Sequence, residues 1–279
     1  MLENKKVAIL GTGTMGRAIA QGMLNAGVMD TDRLLGTVRT EREARDVAEQ
    51  VPFPISTDNA AAARGADVLL LCTKPKHVAP LMRELGEAGA LDHDPLVICI
   101  AAGVRIAEIE AAAGVAVRVV RAMPNTPCLI GEGMIVLSPG SHSGEAELDL
   151  AVSVFQPLGR VLRLDEEHMD AVTGLSGSGP AFVYVIIEAL AEGGVMAGLP
   201  RRVATELAAQ TVKGAARMVL ETGRHPAALK DDVTTPAGCT VSALLMMEDG
   251  RLRSVLARGV QEAARSAAGL GGAPDRDQQ

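Results

Sequence analysis

The stretch Gly11-Thr12-Gly13-Thr14-Met15-Gly16 constrains this chain more than any other. It follows a continuous apolar run at 6–10 and opens directly into a helical pattern reaching about residue 26, where Gly27 ends it. A lone GxGxxG is a weak signal. Between a strand and a helix, close to the start of the chain, it reads as the phosphate-binding turn of a dinucleotide-binding βαβ unit. The first glycine permits the tight turn, the second lets the backbone approach a pyrophosphate, and the third lets helix and strand pack closely. The competing reading is a glycine-rich βα turn that holds no nucleotide.

The pattern that follows agrees with such a unit. Apolar strands are expected at 33–37, 54–56, 67–72, 96–100, 117–121, 134–137 and 160–164. Helices are expected at 40–50, after Asn59, up to about 87, at 106–112 and at 145–155. Thr40-Glu41-Arg42-Glu43 has the form of a capping box. Strands that are apolar at nearly every position need cover on both faces, so the expectation is a parallel, doubly wound α/β sheet of Rossmann type over residues 1–164.

Beyond Asp165 the pattern becomes almost purely helical, with helices expected at 180–193, 200–222 and 251–268. The first of them, PAFVYVIIEALAEGG, is apolar on nearly every side as far as Glu188. A helix of that kind must be buried all round, and in a domain of about a hundred residues a second subunit is the natural cover. An obligate homodimer built on an all-helical domain at 165–268 is therefore expected, followed by a mobile tail at 269–279.

Composition excludes other classes. Phe53, Phe155, Phe182 and Tyr184 are the only aromatic residues, so aliphatic side chains must build the core. A net charge of −7 opposes nucleic-acid or anionic-membrane binding. Cys72, Cys99, Cys128 and Cys239 form no CxxC pair and read as reduced thiols of a cytoplasmic protein, with neither disulfide nor metal site. No uninterrupted apolar run approaches membrane-spanning length, and no signal peptide is expected, since Lys5-Lys6 is followed by only four apolar residues before Gly11.

Several loops follow strand ends, where ligands bind in open α/β sheets. They are Cys72-Thr73-Lys74-Pro75, Ala101-Ala102-Gly103 and the loop holding Asn125, Met123-Pro124-Asn125-Thr126-Pro127. Asn59 opens the short helix after the third strand and joins the same candidate set. NAD sites place an acidic residue at the end of the second strand. Here the sequence is Thr37-Val38-Arg39, and an arginine beside hydroxyls suits a 2′-phosphate, so NADPH is preferred over NADH. A last loop, Asp231 to Gly238, leads to Thr240 at the place of a helix N-cap, with Val241, Leu244, Leu245 and Glu248 at helical spacing. Taken alone it is an ordinary capped helix.

Together these segments resemble pyrroline-5-carboxylate reductases. The resemblance rests on GTGTMG at 11–16, CTKP at 72–75, AAG at 101–103, MPNTP at 123–127, AVTGLSGSGPAF at 171–182, GLPRR at 198–202 and HPAALKDDVTTPAGCT at 225–240. It implies reduction of 1-pyrroline-5-carboxylate to proline, a substrate pocket at the dimer interface, and dimers assembled into rings. It also implies that Thr240 hydrogen-bonds the ring nitrogen while backbone amides around Ala237, Gly238 and Cys239 hold the carboxylate; Thr235 joins the candidate substrate-binding residues. Ser176, Gly177 and Ser178 would form the opposite wall. The chain departs from the family at Ala237, where a second glycine is common, and at Cys239.

No His/Asp/Ser set recurs near these loops, and a cyclic imine that enters protonated needs little acid–base help from the protein. Positioning then carries the reaction. Two other readings are a reductase of the β-hydroxyacid dehydrogenase type and a nucleotide-binding dimer without catalysis. The first wants a catalytic lysine, and Lys213 is the sole lysine of the 200–222 helix, without the usual glycine signal before it.

Overall fold

The structure, a computed structural model, describes residues 2, 4–236 and 238–270. Ala237 and most of the expected tail, 271–279, lie outside the described residues. Two compact units are distinguished, one of residues up to Ser178 together with those from Glu262 on, the other Gly179–Gln261.

In chain order the first unit contains β1 (Val7–Leu10), α1 (Thr14–Asn25), β2 (Leu34–Thr37), α2 (Glu41–Ala48), β3 (Ile55–Ser56), α3 (Asn59–Arg64), β4 (Val68–Leu71) and α4 (Val78–Glu87). Then come β5 (Leu96–Cys99), α5 (Ile106–Ala113), β6 (Arg118–Met123), β7 (Gly133–Pro139), α6 (Glu145–Phe155), β8 (Gly159–Arg163) and α7 (Met169–Val172). The strands form one sheet in the order β3-β2-β1-β4-β5-β6-β7-β8. Every residue of β1, β4 and β5 is buried. Val7, Ile9, Val68 and Leu70 join one core cluster with Ile19 and Phe155, while Ala8, Leu10, Leu69 and Leu71 join another with Met82 and Ile109. Alternation along each strand thus feeds helices on both faces, the condition for a doubly wound sheet.

The sheet departs from the expected all-parallel arrangement at one end, where β7 pairs antiparallel with β6 and β8 pairs parallel with β7. The link between β6 and β7 holds only the 3-10 turn Thr126–Ile130 and Gly131 in the left-handed region at φ +74°. It is too short for a crossover helix, so the chain must reverse. The capping box of α2 is also altered. Thr40 Oγ1 accepts from the Glu43 N–H at 3.2 Å, but the Glu43 carboxylate accepts from the Arg39 N–H, one residue before the cap.

The first unit continues through a π-helical turn at Thr173–Gly177. The second unit holds α8 (Gly179–Met196), α9 (Arg201–Thr222), α10 (Pro226–Asp232), α11 (Cys239–Asp249) and the start of α12 (Leu252–Ala268). Its own core is small: among the described residues, only Ala191, Ala204 and Ala208 are buried, with Ile187 and Val195 packed against them. Val183, Tyr184, Val185 and Leu190 of α8 are exposed within one chain. The all-round apolar helix is thus not covered by its own fold. By length and mean hydropathy, 1.4, the continuous helical stretch Glu166–Met196 would even suffice to cross a membrane. The sequence reading missed this because the π turn joins α7 and α8 into a longer stretch than the apolar run alone.

α10 was also unforeseen, since residues 230–235 read as a loop. Pro226 at its start and the His225 ring nitrogen, which accepts from the Ala227 N–H at 3.2 Å, open a helix that ends only at Asp232.

Candidate active site

The glycine turn has the geometry its spacing implies. Gly11 sits at φ +98°, and a Cβ there would stand 3.0 Å from the Cys72 carbonyl carbon. A Cβ on Gly16 would lie 2.8 Å from the Gly11 carbonyl oxygen and 3.0 Å from Ile9 Cγ2, so helix and strand meet backbone to backbone. Gly13 is different, because a Cβ there would meet nothing within 4 Å. It is the N-cap of α1 and carries no side-chain cap, which leaves the first-turn N–H groups around Thr14 and Met15 without an acceptor from that cap. Thr12 is buried and ties the turn to β2, its N–H reaching the Thr37 carbonyl at 2.8 Å and its hydroxyl the same oxygen at 3.1 Å.

Beyond β2, a cavity of about 650 Å³ is lined by Gly11, Thr37, Val38, Arg39, Asn59, Thr73, Lys74, Lys76 and His77. Thr37 is buried and its hydroxyl donates to Asn59 Oδ1 at 2.7 Å. Arg39 is 79 % exposed and its guanidinium stands 3.7 Å from the Glu43 carboxylate, a separation of low energetic weight in solvent. The Thr73 hydroxyl, beside Gly11, is buried with no hydrogen-bond partner. An orphaned hydroxyl, an uncapped helix start and four cationic or imidazole side chains fit a phosphorylated dinucleotide. Pro75 starts the turn into α4, leaving Lys74 exposed at its cap.

The remaining strand-end loops lie along the same edge of the sheet. Ala101 and Gly103 are buried and Ala102 half-buried after β5, with Gly103 at φ +74°. Beyond β6, the Asn125 amide is held on both sides, Nδ2 donating to the Ser176 carbonyl at 3.0 Å and Oδ1 accepting from the Met134 N–H at 2.9 Å. Ser176, Gly177 and Ser178 are half-buried at the π turn, where the Ser178 N–H bonds the Thr173 carbonyl at 2.9 Å. The MPNTP and LSGSG segments are thereby brought together, which spacing could not reveal.

Sequence reasoning missed Arg121. It is buried on β6, with its guanidinium 3.0 Å from Glu166 and 3.5 Å from Asp170, and Glu166 also accepts from the Ile106 N–H at 2.7 Å. Glu166→Ala would leave this cation half-paired in the interior. The expected loss is about 2 kcal/mol, read as a melting temperature lower by roughly 4–8 °C. An unchanged thermal transition would refute it. A charged residue within the otherwise apolar run from Val119 to Met123 was the available signal.

In the second unit, the helix start differs from the sequence reading. Gly238, extended at φ −75° and ψ 152°, is the N-cap of α11, so Thr240 is the second residue of the helix and not its cap. The Gly238 N–H is already bonded to the Thr235 carbonyl at 3.0 Å, which closes the turn early and starts the helix two residues sooner. Gly238 and Thr240 are half-buried, Thr235 and Cys239 exposed. Gly238 supplies no side-chain cap, so the first amides of α11 keep their donors for another acceptor. The Thr234 hydroxyl donates to the Lys230 carbonyl at 2.6 Å, and Arg224 pairs with Asp232 at 2.6 Å, bracing the approach to this turn.

The four cysteines are unbridged. Burial pushes the Cys72 thiol well above its ordinary range and Cys99 up to about 11, and it raises Cys128 as well. These three are protonated packing residues rather than nucleophiles.

Comparison with known proteins agrees with the geometry. Residues 166–270 match the family model described as pyrroline-5-carboxylate reductase dimerisation, and residues 6–103 match that of NADP oxidoreductase, coenzyme F420-dependent. The chain is similar to a pyrroline-5-carboxylate reductase of Methanosarcina acetivorans, 39 % identical over 97 % of this chain and 99 % of the relative. One from Arabidopsis thaliana is also 39 % identical, over 94 % of each chain. Among solved structures, a pyrroline-5-carboxylate reductase of Coxiella burnetii aligns with TM-score 0.88 and 34 % identity, covering 97 % of this chain and 100 % of that one. The pyrroline carboxylate reductase of Plasmodium falciparum, solved with NADP bound, aligns with TM-score 0.87 and 28 % identity, covering 98 % and 100 %.

Proposed function

The chain belongs to the pyrroline-5-carboxylate reductase family, and from that premise we propose how its own residues reduce 1-pyrroline-5-carboxylate to proline, the last step of proline biosynthesis. NADPH, when bound, would supply the hydride. The glycine turn at 11–16, with Thr12, Thr14 and Met15, takes the pyrophosphate, and Thr37, Val38, Arg39 and Asn59 take the adenosine half. Cys72, Thr73, Lys74, Pro75, Ala101, Ala102 and Gly103 flank the rest of the cofactor.

The observation that carries the substrate assignment is the start of α11. Its first amides are uncapped, and a helix N-terminus favours a carboxylate. Gly238 and Cys239, with Thr235 and Ala237, hold the substrate carboxylate there, and the Thr240 hydroxyl orients the imine nitrogen. Ser176, Gly177 and Ser178 act as a wall against the substrate. The imine arrives protonated, and the protein's task is to fix the C=N carbon in line for hydride transfer. The same reading makes the active species a homodimer, assembled further into a ring, at work in the cytoplasm without membrane or nucleic acid.

Two measurements test this. NADPH oxidation should be rapid with pyrroline-5-carboxylate and slower when NADH replaces NADPH, and 2-hydroxy or 3-hydroxy acids should give no reduction of NADP+. Thr240→Ala should lower kcat about 10- to 100-fold, the cost of one hydrogen bond to a cationic centre, with the NADPH dissociation constant unchanged. Equal loss of cofactor affinity would remove Thr240 from this role.

A further inference from the structure

We propose that Asn125 is a positioning residue that sets the π turn at Thr173–Gly177, and through it the substrate wall, rather than a ligand of the cofactor. The inference rests on the reading of Ser176–Ser178 as that wall. Arg121, Met123 and Asn125 are two residues apart along an extended chain, Asn125 itself being extended at φ −130° and ψ 169°. Each meets the segment that follows β8. Arg121 pairs with Glu166 and Asp170, a Cβ on Gly177 would stand 2.8 Å from Met123 Cε, and Asn125 Nδ2 donates to the Ser176 carbonyl. β6 and its extension therefore act as a rail on which residues 166–178 are registered.

The π turn needs such a rail. A π turn is less regular than α-helix and persists where side chains hold it, often beside a functional site. Here Thr173 and Ser176 turn their hydroxyls back onto the Met169 and Val172 carbonyls at 2.8 and 3.1 Å, and Asn125 takes the Ser176 carbonyl from outside the turn. The amide can sit in only one orientation. Its other arm must accept from the Met134 N–H, so Nδ2 has to face Ser176. With both arms engaged by protein, the Asn125 side chain is a strut between β7 and the π turn.

Asn125→Asp separates the two roles. The carboxylate keeps the acceptor for Met134 but sets an oxygen against the Ser176 carbonyl, while size and shape are unchanged. The expected result is a kcat/KM for pyrroline-5-carboxylate at least about tenfold lower, with KM for NADPH within about twofold of native. Protonation restores a donor, so the ratio of variant to native kcat/KM should rise as pH falls from about 8 toward about 5.5. A loss due only to general destabilisation would not recover in acid. A raised KM for NADPH would make Asn125 a cofactor ligand and overturn the proposal, as would native kinetics. Ser178→Ala, measured in parallel, reports on the wall itself. If Ser178→Ala lowers kcat/KM for pyrroline-5-carboxylate and Asn125→Asp does not, the wall stands and the strut falls. Native values in both remove wall and strut together.

Discussion

Gly13→Val is expected to abolish NADPH binding while leaving the apoprotein as stable as the native chain. At this position the backbone is extended, φ −80° and ψ −162°, which any residue adopts, and a Cβ would touch nothing within 4 Å. The space around it is therefore not needed by the fold. It lies at the uncapped start of α1, where a pyrophosphate would approach the backbone, and a branched side chain fills it. The expected loss of NADPH affinity is at least about 100-fold, or roughly 2.7 kcal/mol, with the apoprotein melting temperature within about 1 °C of native. Gly16→Val is the contrast. Its Cβ would strike the Gly11 carbonyl oxygen at 2.8 Å, so it should destabilise the fold as well. Tight NADPH binding by the Gly13 variant, measured by fluorescence titration, would mean that the cofactor lies elsewhere.

The second large effect concerns self-association. Among its described residues the second unit buries three alanines and leaves Val185 of α8 63 % exposed in one chain. So small a core cannot stabilise five helices, and the family match over 166–270 is to a dimerisation domain. Val185→Glu places a charge on that apolar face. The variant is expected to elute as a monomer at micromolar concentration and to lose at least about 100-fold in activity, since desolvating an unpaired carboxylate costs several kcal/mol. A dimer of native mass and activity in light scattering would exclude this face from the interface.

These two cases differ in how they could be foreseen. The glycine turn is a local device. Spacing, a preceding apolar strand and a following helix suffice to specify it, because the glycines that shape the turn lie within six residues, although Cys72 and Thr37 also pack against it. The doubly wound sheet is similarly legible, since strands apolar at successive positions have no stable arrangement other than burial on both faces. The reversed direction of β7 was not legible, for it depends on a link that is short in space as well as in sequence. Thr240 was read as a cap because hydroxyl residues favour that position, whereas the bond from the Gly238 N–H to Thr235 had already opened the helix two residues before.

By itself, then, the sequence determined the dinucleotide turn, the alternation that builds the sheet, the change to helices after Asp165 and an apolar helix that one chain cannot cover. All of these are short-range patterns, in which periodicity and backbone freedom decide the outcome. Only the tertiary structure decided that Arg121 would be buried against Glu166 and Asp170, and that Asn125 would hold Ser176 fifty-one residues away. Contacts of that range arise where two distant segments are packed against one strand. A buried polar group must then find its partner in the fold, because desolvation without one is costly and the linear sequence does not say which partner is near.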